Sequence, residues 1–161
     1  MMLKAAVLSP CRTWRYRLER QWDTGKPTSL FIMLNPSTAD GRIDDPTIRR
    51  CIAFARGWGM GRLIVCNLFA FRSTDPRALL VAPDPVGPDN DAHIASAAQS
   101  VGAGGIIVCA WGASGSSRDI SHLVPNELYC LGVTKAGHPR HPLYLRRDTK
   151  PQPFATEGEG L

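Results

Sequence analysis

Residues 28–37, Thr-Ser-Leu-Phe-Ile-Met-Leu-Asn-Pro-Ser, narrow the fold more than any other stretch. Leu30 to Leu34 form an unbroken apolar run that stops at Asn35-Pro36. A short apolar run bounded by turn residues reads as a strand buried on both faces, as in the middle of a parallel sheet. Pro36 has no N–H to give a ladder, so pairing ends there and Asn35 marks the carboxyl end of the strand. In open α/β sheets ligands bind at that edge.

Three later segments repeat the pattern. Residues 62–69 run Arg-Leu-Ile-Val-Cys-Asn-Leu-Phe and reach Asn67. Residues 104–112 end in Trp111-Gly112, and residues 127–132 lead into a loop holding His138 to Leu143. Between the runs lie helical signals. Asp45-Pro46 is an N-cap followed by proline at the first helical position, and Ile48, Cys51, Ile52 and Ala55 share one face up to Gly57. A second helix starts near Gly87-Pro88, with Asp89 and Asp91 in its first turn and Ile94, Ala97, Ala98 and Val101 on its buried face. A short helix is expected around 117–123.

Strands separated by helices predict an α/β fold with three layers, α/β/α, around a four-stranded, mostly parallel sheet. Ahead of it, residues 5–8 and 12–22 predict an N-terminal antiparallel hairpin. In the second of these, Trp14, Tyr16 and Leu18 alternate with Arg15, Arg17 and Glu19, which puts the arginines on a solvated face. The domain spans 1–146, and the polar segment 147–161 reads as a flexible C-terminal tail.

No apolar run approaches the roughly 20 residues of a membrane span, and the amino terminus lacks a signal-peptide pattern, so the chain reads as a cytoplasmic protein without a membrane partner. The five cysteines are odd in number and scattered, which argues against a disulfide framework or a zinc site, and no metal or other cofactor is expected. A net charge of +5 suits an anionic partner. Nothing in the sequence fixes the oligomeric state.

The segments 35–40 (Asn-Pro-Ser-Thr-Ala-Asp), 44–51 (Asp-Asp-Pro-Thr-Ile-Arg-Arg-Cys) and 137–145 (Gly-His-Pro-Arg-His-Pro-Leu-Tyr-Leu) resemble a family of small bacterial proteins known as a domain of unknown function. More distantly, the ordered segments resemble the uracil-DNA glycosylase superfamily. Met33-Leu34-Asn35-Pro36-Ser37 is similar to the Gly-Ile-Asn-Pro-Gly of its mismatch-specific branch. Val65-Cys66-Asn67 falls where the uracil branch has Leu-Leu-Asn, and Ala110-Trp111-Gly112 is similar to Leu-Trp-Gly. The final His-Pro-Ser-Pro-Leu has its counterpart in residues 138–143, with one extra residue. Either His138 or His141 occupies the family position, and His141-Pro142-Leu143 is the more compact match.

That resemblance implies a fold like that of the glycosylases and hydrolysis of the N-glycosidic bond of a modified or mismatched base. It implies that Asn35 holds the attacking water and that His141 or His138 stabilises the departing base. Asn67, with Leu34 and Phe69, would hold the base, and Lys135, Arg140, Arg146 and Arg147 would meet phosphates of nucleic acid, DNA ahead of RNA. The Asp and Tyr of the uracil-specific first motif are missing. Two other readings therefore stand beside it: a non-catalytic nucleotide or nucleic-acid binding module, and a metal-dependent nucleotide hydrolase or transferase built on Asp40, Asp44 and Asp45.

Overall fold

In the computed structural model, which describes residues 1–113 and 116–155, the run 28–33 lies at the centre of a mixed sheet. The strands are β1 (Leu3–Leu8), β2 (Arg15–Gln21), β3 (Thr28–Met33), β4 (Arg62–Asn67), β5 (Ile106–Cys109), β6 (Tyr129–Cys130) and β7 (Gln152–Pro153). Every residue of β3 is buried, as its apolar run requires. It pairs in parallel with β4 on one side and β5 on the other, and β5 pairs in parallel with β6.

The sheet has seven strands in the order β1-β2-β4-β3-β5-β6-β7, where the sequence predicts four and a separate hairpin. The hairpin forms, but β2 also pairs antiparallel with β4, so the outer edge of β4 is covered and the hairpin extends the sheet. At the far end, two residues of the expected tail pair antiparallel with β6 as β7. Phe154 follows them, and its ring meets Trp111 edge-on at 5.9 Å. Residues 156–161 of the expected tail lie outside the described residues. The helix expected at 117–123 is absent, and residues 121–123 form a turn.

Two helices cover the sheet, α1 (Pro46–Gly57) and α2 (Asn90–Ser100). Asp45 caps α1 as its sequence predicts, its Oδ1 accepting the Ile48 N–H at 2.9 Å. Side chains from successive strand positions go to opposite cores. Leu30, Ile32, Ile64, Cys66, Ile107 and Cys109 pack with Ile94, Ala97 and Ala98 of α2. Phe31, Met33, Leu63, Val65 and Val108 pack with Ile48, Cys51, Ile52 and Phe54 of α1. Each fully buried leucine, isoleucine or phenylalanine contributes roughly 1.5–3 kcal/mol. None of the described helices is long and apolar enough to cross a membrane.

The arginines of β2 depart from the solvated face expected of them. Arg17 stays with Glu19 and Arg62 in a partly exposed ion-pair group. Arg20 is fully buried: its Nε donates to Asp44 Oδ1 at 2.7 Å, Nη1 to the carbonyls of Ala5 and Glu19, and Nη2 to those of Asp40 and Ile43. Burial pushes the Asp44 carboxyl up, but hydrogen bonds from Arg20 and Lys4 outweigh it and hold the group below its usual range. Removing one partner of such a pair leaves a buried charge uncompensated. Asp44→Ala is therefore expected to cost about 3–5 kcal/mol in denaturant unfolding, and a loss below about 1 kcal/mol would show that the pair is not structural.

Candidate functional site

The chain leaves β3, passes through α1 to β4 on one side, then through α2 to β5 on the other. Connections that depart to opposite sides open a crevice at the carboxyl ends of the strands between them. A cleft of about 400 Å³ lies there, within the range of small-molecule sites. Its wall takes Leu34, Asn35 and Pro36 from the end of β3, Asn67 from β4, Trp111 and Gly112 after β5, and Asp45 and Thr47 from the start of α1. His141 and Leu143 close it from the last loop.

Asn35, Asn67 and His141 thus share one cleft, and each has a defined chemical state. Asn35 Nδ2 donates to the carbonyls of Ser73 at 2.9 Å and Pro36 at 3.2 Å. Both amide hydrogens are used, so Oδ1 is the group Asn35 offers to a ligand or water. Asn67 is 1% exposed, and among the described residues its buried Nδ2 donates to no group. A buried donor left without any acceptor costs about 1–3 kcal/mol, so a group that brings an acceptor to Asn67 is favoured by that amount.

His141 is anchored through its Nδ1, which accepts the Leu143 N–H at 3.2 Å. An accepting Nδ1 puts the proton of the neutral ring on Nε2, as a donor. Burial pushes its pKa below the ordinary 6.5, and the Asp45 carboxylate opposes that only in part. The sign follows: the unfolded imidazole protonates near 6.5 while the native one resists, so native stability falls from that pH downward to the lower folded value. An NMR titration of the His141 ring is expected to give a midpoint below 6.5, and a midpoint at or above it would contradict a neutral donor.

The loop that carries His141 is fixed by its backbone. Arg140 N–H donates to Gly132 O at 2.9 Å, Thr134 N–H to His138 O at 2.8 Å, and Gly112 N–H to Pro139 O at 2.9 Å. Gly112 has φ +74°, and a Cβ there would lie 3.5 Å from the His141 Cβ. Its left-handed turn lets the end of β5 and the histidine loop meet, which gives the Trp111-Gly112 pair a physical reason. Gly112→Ala is expected to cost about 1–2 kcal/mol in thermal or denaturant unfolding from the backbone alone; an unchanged stability would show that the turn relaxes freely.

Other sequence candidates lie elsewhere. His138 lines a separate cavity of about 250 Å³ with Arg118, Asp119 and Phe154. Phe69 is in the α2-side core, not on the cleft: its N–H donates to Leu34 O, and the chain turns the ring inward. Lys135, Arg140, Arg146 and Arg147 are exposed but do not line the cleft, and Arg146 pairs with Asp148. Asp40 accepts the N–H groups of Arg42 and Ile43, and Asp44 pairs with Arg20, so of the acid cluster Asp45 alone lines the cleft. Among the described residues, no group of three His, Cys, Asp or Glu side chains could hold a metal ion.

Arg15 lines the cleft, although the sequence places it on a solvated face. Arg15 is 2% exposed and sits on the cleft with Asp45. Strict alternation would leave it beside Arg17 and Glu19. The β1–β2 register breaks, however: Val7 pairs with Arg17 but Leu8 with Arg15, so Tyr16 is an extra residue in β2. That bulge turns Arg15 to the α1 side of the sheet. Because β2 runs antiparallel to β4, its first residue also arrives at the carboxyl edge.

Residues 15–143 match the family described as Protein of unknown function (DUF1643), and the chain belongs to that family. No curated protein matches the chain, and no solved structure does.

Proposed function

We propose that this member of the DUF1643 family takes a modified or mismatched nucleobase of nucleic acid into the cleft and hydrolyses its N-glycosidic bond. The observation that carries the reading is the orphaned Asn67 donor, buried on the same wall as a free amide oxygen on Asn35 and a neutral imidazole donor on His141. The resemblance to uracil-DNA glycosylases supports it, since the segments that carry the likeness end at one edge of the sheet.

In this reading Asn67 donates to a carbonyl oxygen of the extruded base. Asn35 Oδ1 accepts from a water and aims it at the sugar carbon. Asp45 receives the proton that the water gives up; its Oδ1 is held by Ile48 N–H, which fixes the carboxylate on the cleft. As the carbon–oxygen bond forms and the carbon–nitrogen bond breaks, the bonding pair moves onto the base. His141 Nε2–H donates to the base oxygen that gains charge. The exposed Lys135, Arg140, Arg146 and Arg147 would meet the flanking phosphates, so affinity for nucleic acid should fall steeply with salt.

The test is a base-release screen on oligonucleotides carrying varied lesions, followed by single-turnover rates. Asn35→Ala is expected to lower release about 100-fold with nearly unchanged binding, because the amide acts on the water and not in docking. Release at the wild-type rate would remove the water-positioning role. Binding in the cleft without any base release would favour the second reading, a non-catalytic nucleotide or nucleic-acid binding module.

A further inference from the structure

β2 buries two arginines, and the contrast between them is informative. Arg20 is fully committed, to one carboxylate and four backbone carbonyls. Arg15, buried almost as deeply, makes one side-chain hydrogen bond among the described residues, from Nη1 to Ala39 O at 3.0 Å. Among the described residues its buried Nε donates to no group, and no carboxylate comes within ion-pair distance of it.

In a guanidinium, Nε–H and one Nη2–H point to the same side and form the fork that matches two oxygens of a carboxylate or phosphate. Ala39 O occupies Nη1, which leaves that fork without an acceptor among the described residues. Burial lowers the Arg15 pKa to about 10, partly offset by Asp45, so the group remains a cation at neutral pH. A buried cation whose Nε–H has no acceptor is unfavourable unless an anion or a water completes it, and an anion also offsets the charge. The first turn of α1, through Thr47 on the cleft wall, adds the positive end of the helix dipole.

We propose that the Arg15 fork is a phosphate subsite of the cleft, taking the phosphate attached to the nucleotide whose base the cleft holds. The inference rests on the reading of the cleft as a nucleobase site, and it specifies that the ligand is a phosphorylated nucleotide and not a free base or nucleoside. The phosphate has two sources, the 5′-monoester of a free mononucleotide or a diester of a strand. The exposed basic residues of the last loop do not line the cleft, whereas Arg15 is deep within it, so its role differs from general attraction to a strand.

The experiment compares the full-length wild type with Arg15→Lys, which keeps the charge and loses the fork, and with Arg15→Met. Inorganic phosphate is titrated against thermal unfolding at constant ionic strength. Wild type is expected to gain melting temperature beyond the general effect of phosphate, which both variants report. An equal gain in wild type and variants, or none in wild type, overturns the proposal. If a variant fails to fold, ³¹P line broadening of phosphate by wild type decides: broadening relieved by 2′-deoxyuridine 5′-monophosphate but not by 2′-deoxyuridine supports the subsite, and no broadening overturns it.

Two further arms separate the sources. At least tenfold tighter binding of 2′-deoxyuridine 5′-monophosphate than of 2′-deoxyuridine, lost in Arg15→Lys, supports the monoester. A tenfold loss by Arg15→Lys confined to a deoxyuridine-containing oligonucleotide supports the diester. The glycosylase reading fails separately from the subsite. Base release by Arg15→Lys with unchanged KM overturns the subsite alone, whereas Arg15-dependent phosphate binding without release of any base supports the subsite and removes the hydrolase.

Discussion

Asp45→Asn is expected to lower single-turnover base release by about 10²–10⁴-fold, the usual weight of a positioned general base. The substitution separates two roles that the wild-type side chain combines. As an N-cap, Asp45 needs only an oxygen to accept the Ile48 N–H, and asparagine caps about as well as aspartate. The cap itself should therefore be kept, and unfolding stability should fall only by what the Asp45 charge contributes beside the buried Arg15 cation. As a base, it needs the second oxygen and its charge, and asparagine has neither. Asp45→Ala would mix the lost base with a lost cap worth about 0.5–2 kcal/mol, which makes it the poorer variant. Equal rates for wild type and Asp45→Asn would reduce Asp45 to a helix cap and require another proton acceptor on the cleft.

The parts of this site that were legible in the sequence share one property: they follow from where a strand must stop. Asn35 precedes a proline, Asn67 ends an apolar run, and Gly112 and His141 belong to loops after later strands, so a parallel arrangement delivers all of them to one edge. What was not legible depends on register. Nothing in Arg12 to Gln21 announces that Tyr16 is one residue too many for the β1 ladder, yet that extra residue carries Arg15 from the wet face into the cleft. Phe69 illustrates the same limit at shorter range. It directly follows a strand end, but its N–H bonds back to Leu34 O and its ring enters the core. The choice between His138 and His141 also needed the loop's own hydrogen bonds, which send the two rings to different cavities. The last strand was missed for a further reason: β7 is two residues long, too short for any periodicity to register.

Asn67 should control which base is accepted, and its substitution should change selectivity more than any other on the cleft. A buried donor without an acceptor among the described residues is satisfied by a ligand or a water that brings an acceptor to it. Sites built this way reject an analogue lacking the matching group by about 10⁴–10⁵, because the wrong ligand leaves the buried donor unpaired. Wild type should therefore strongly prefer a base with a carbonyl at that edge over its deoxygenated analogue. Asn67→Leu fills nearly the same space without the donor, so discrimination should fall to the roughly 10–200-fold that apolar contact alone provides. The same variant should be no less stable than wild type, since it removes an orphaned donor costing about 1–3 kcal/mol. Asn67→Asp replaces the donor by an acceptor and should shift preference towards a base with an amino group there. Ratios of kcat/KM for the paired bases, measured beside unfolding curves, check both halves. If Asn67→Leu keeps the wild-type ratio, the base edge is read elsewhere on the cleft; if it is also markedly destabilised, the amide serves the fold and not the ligand.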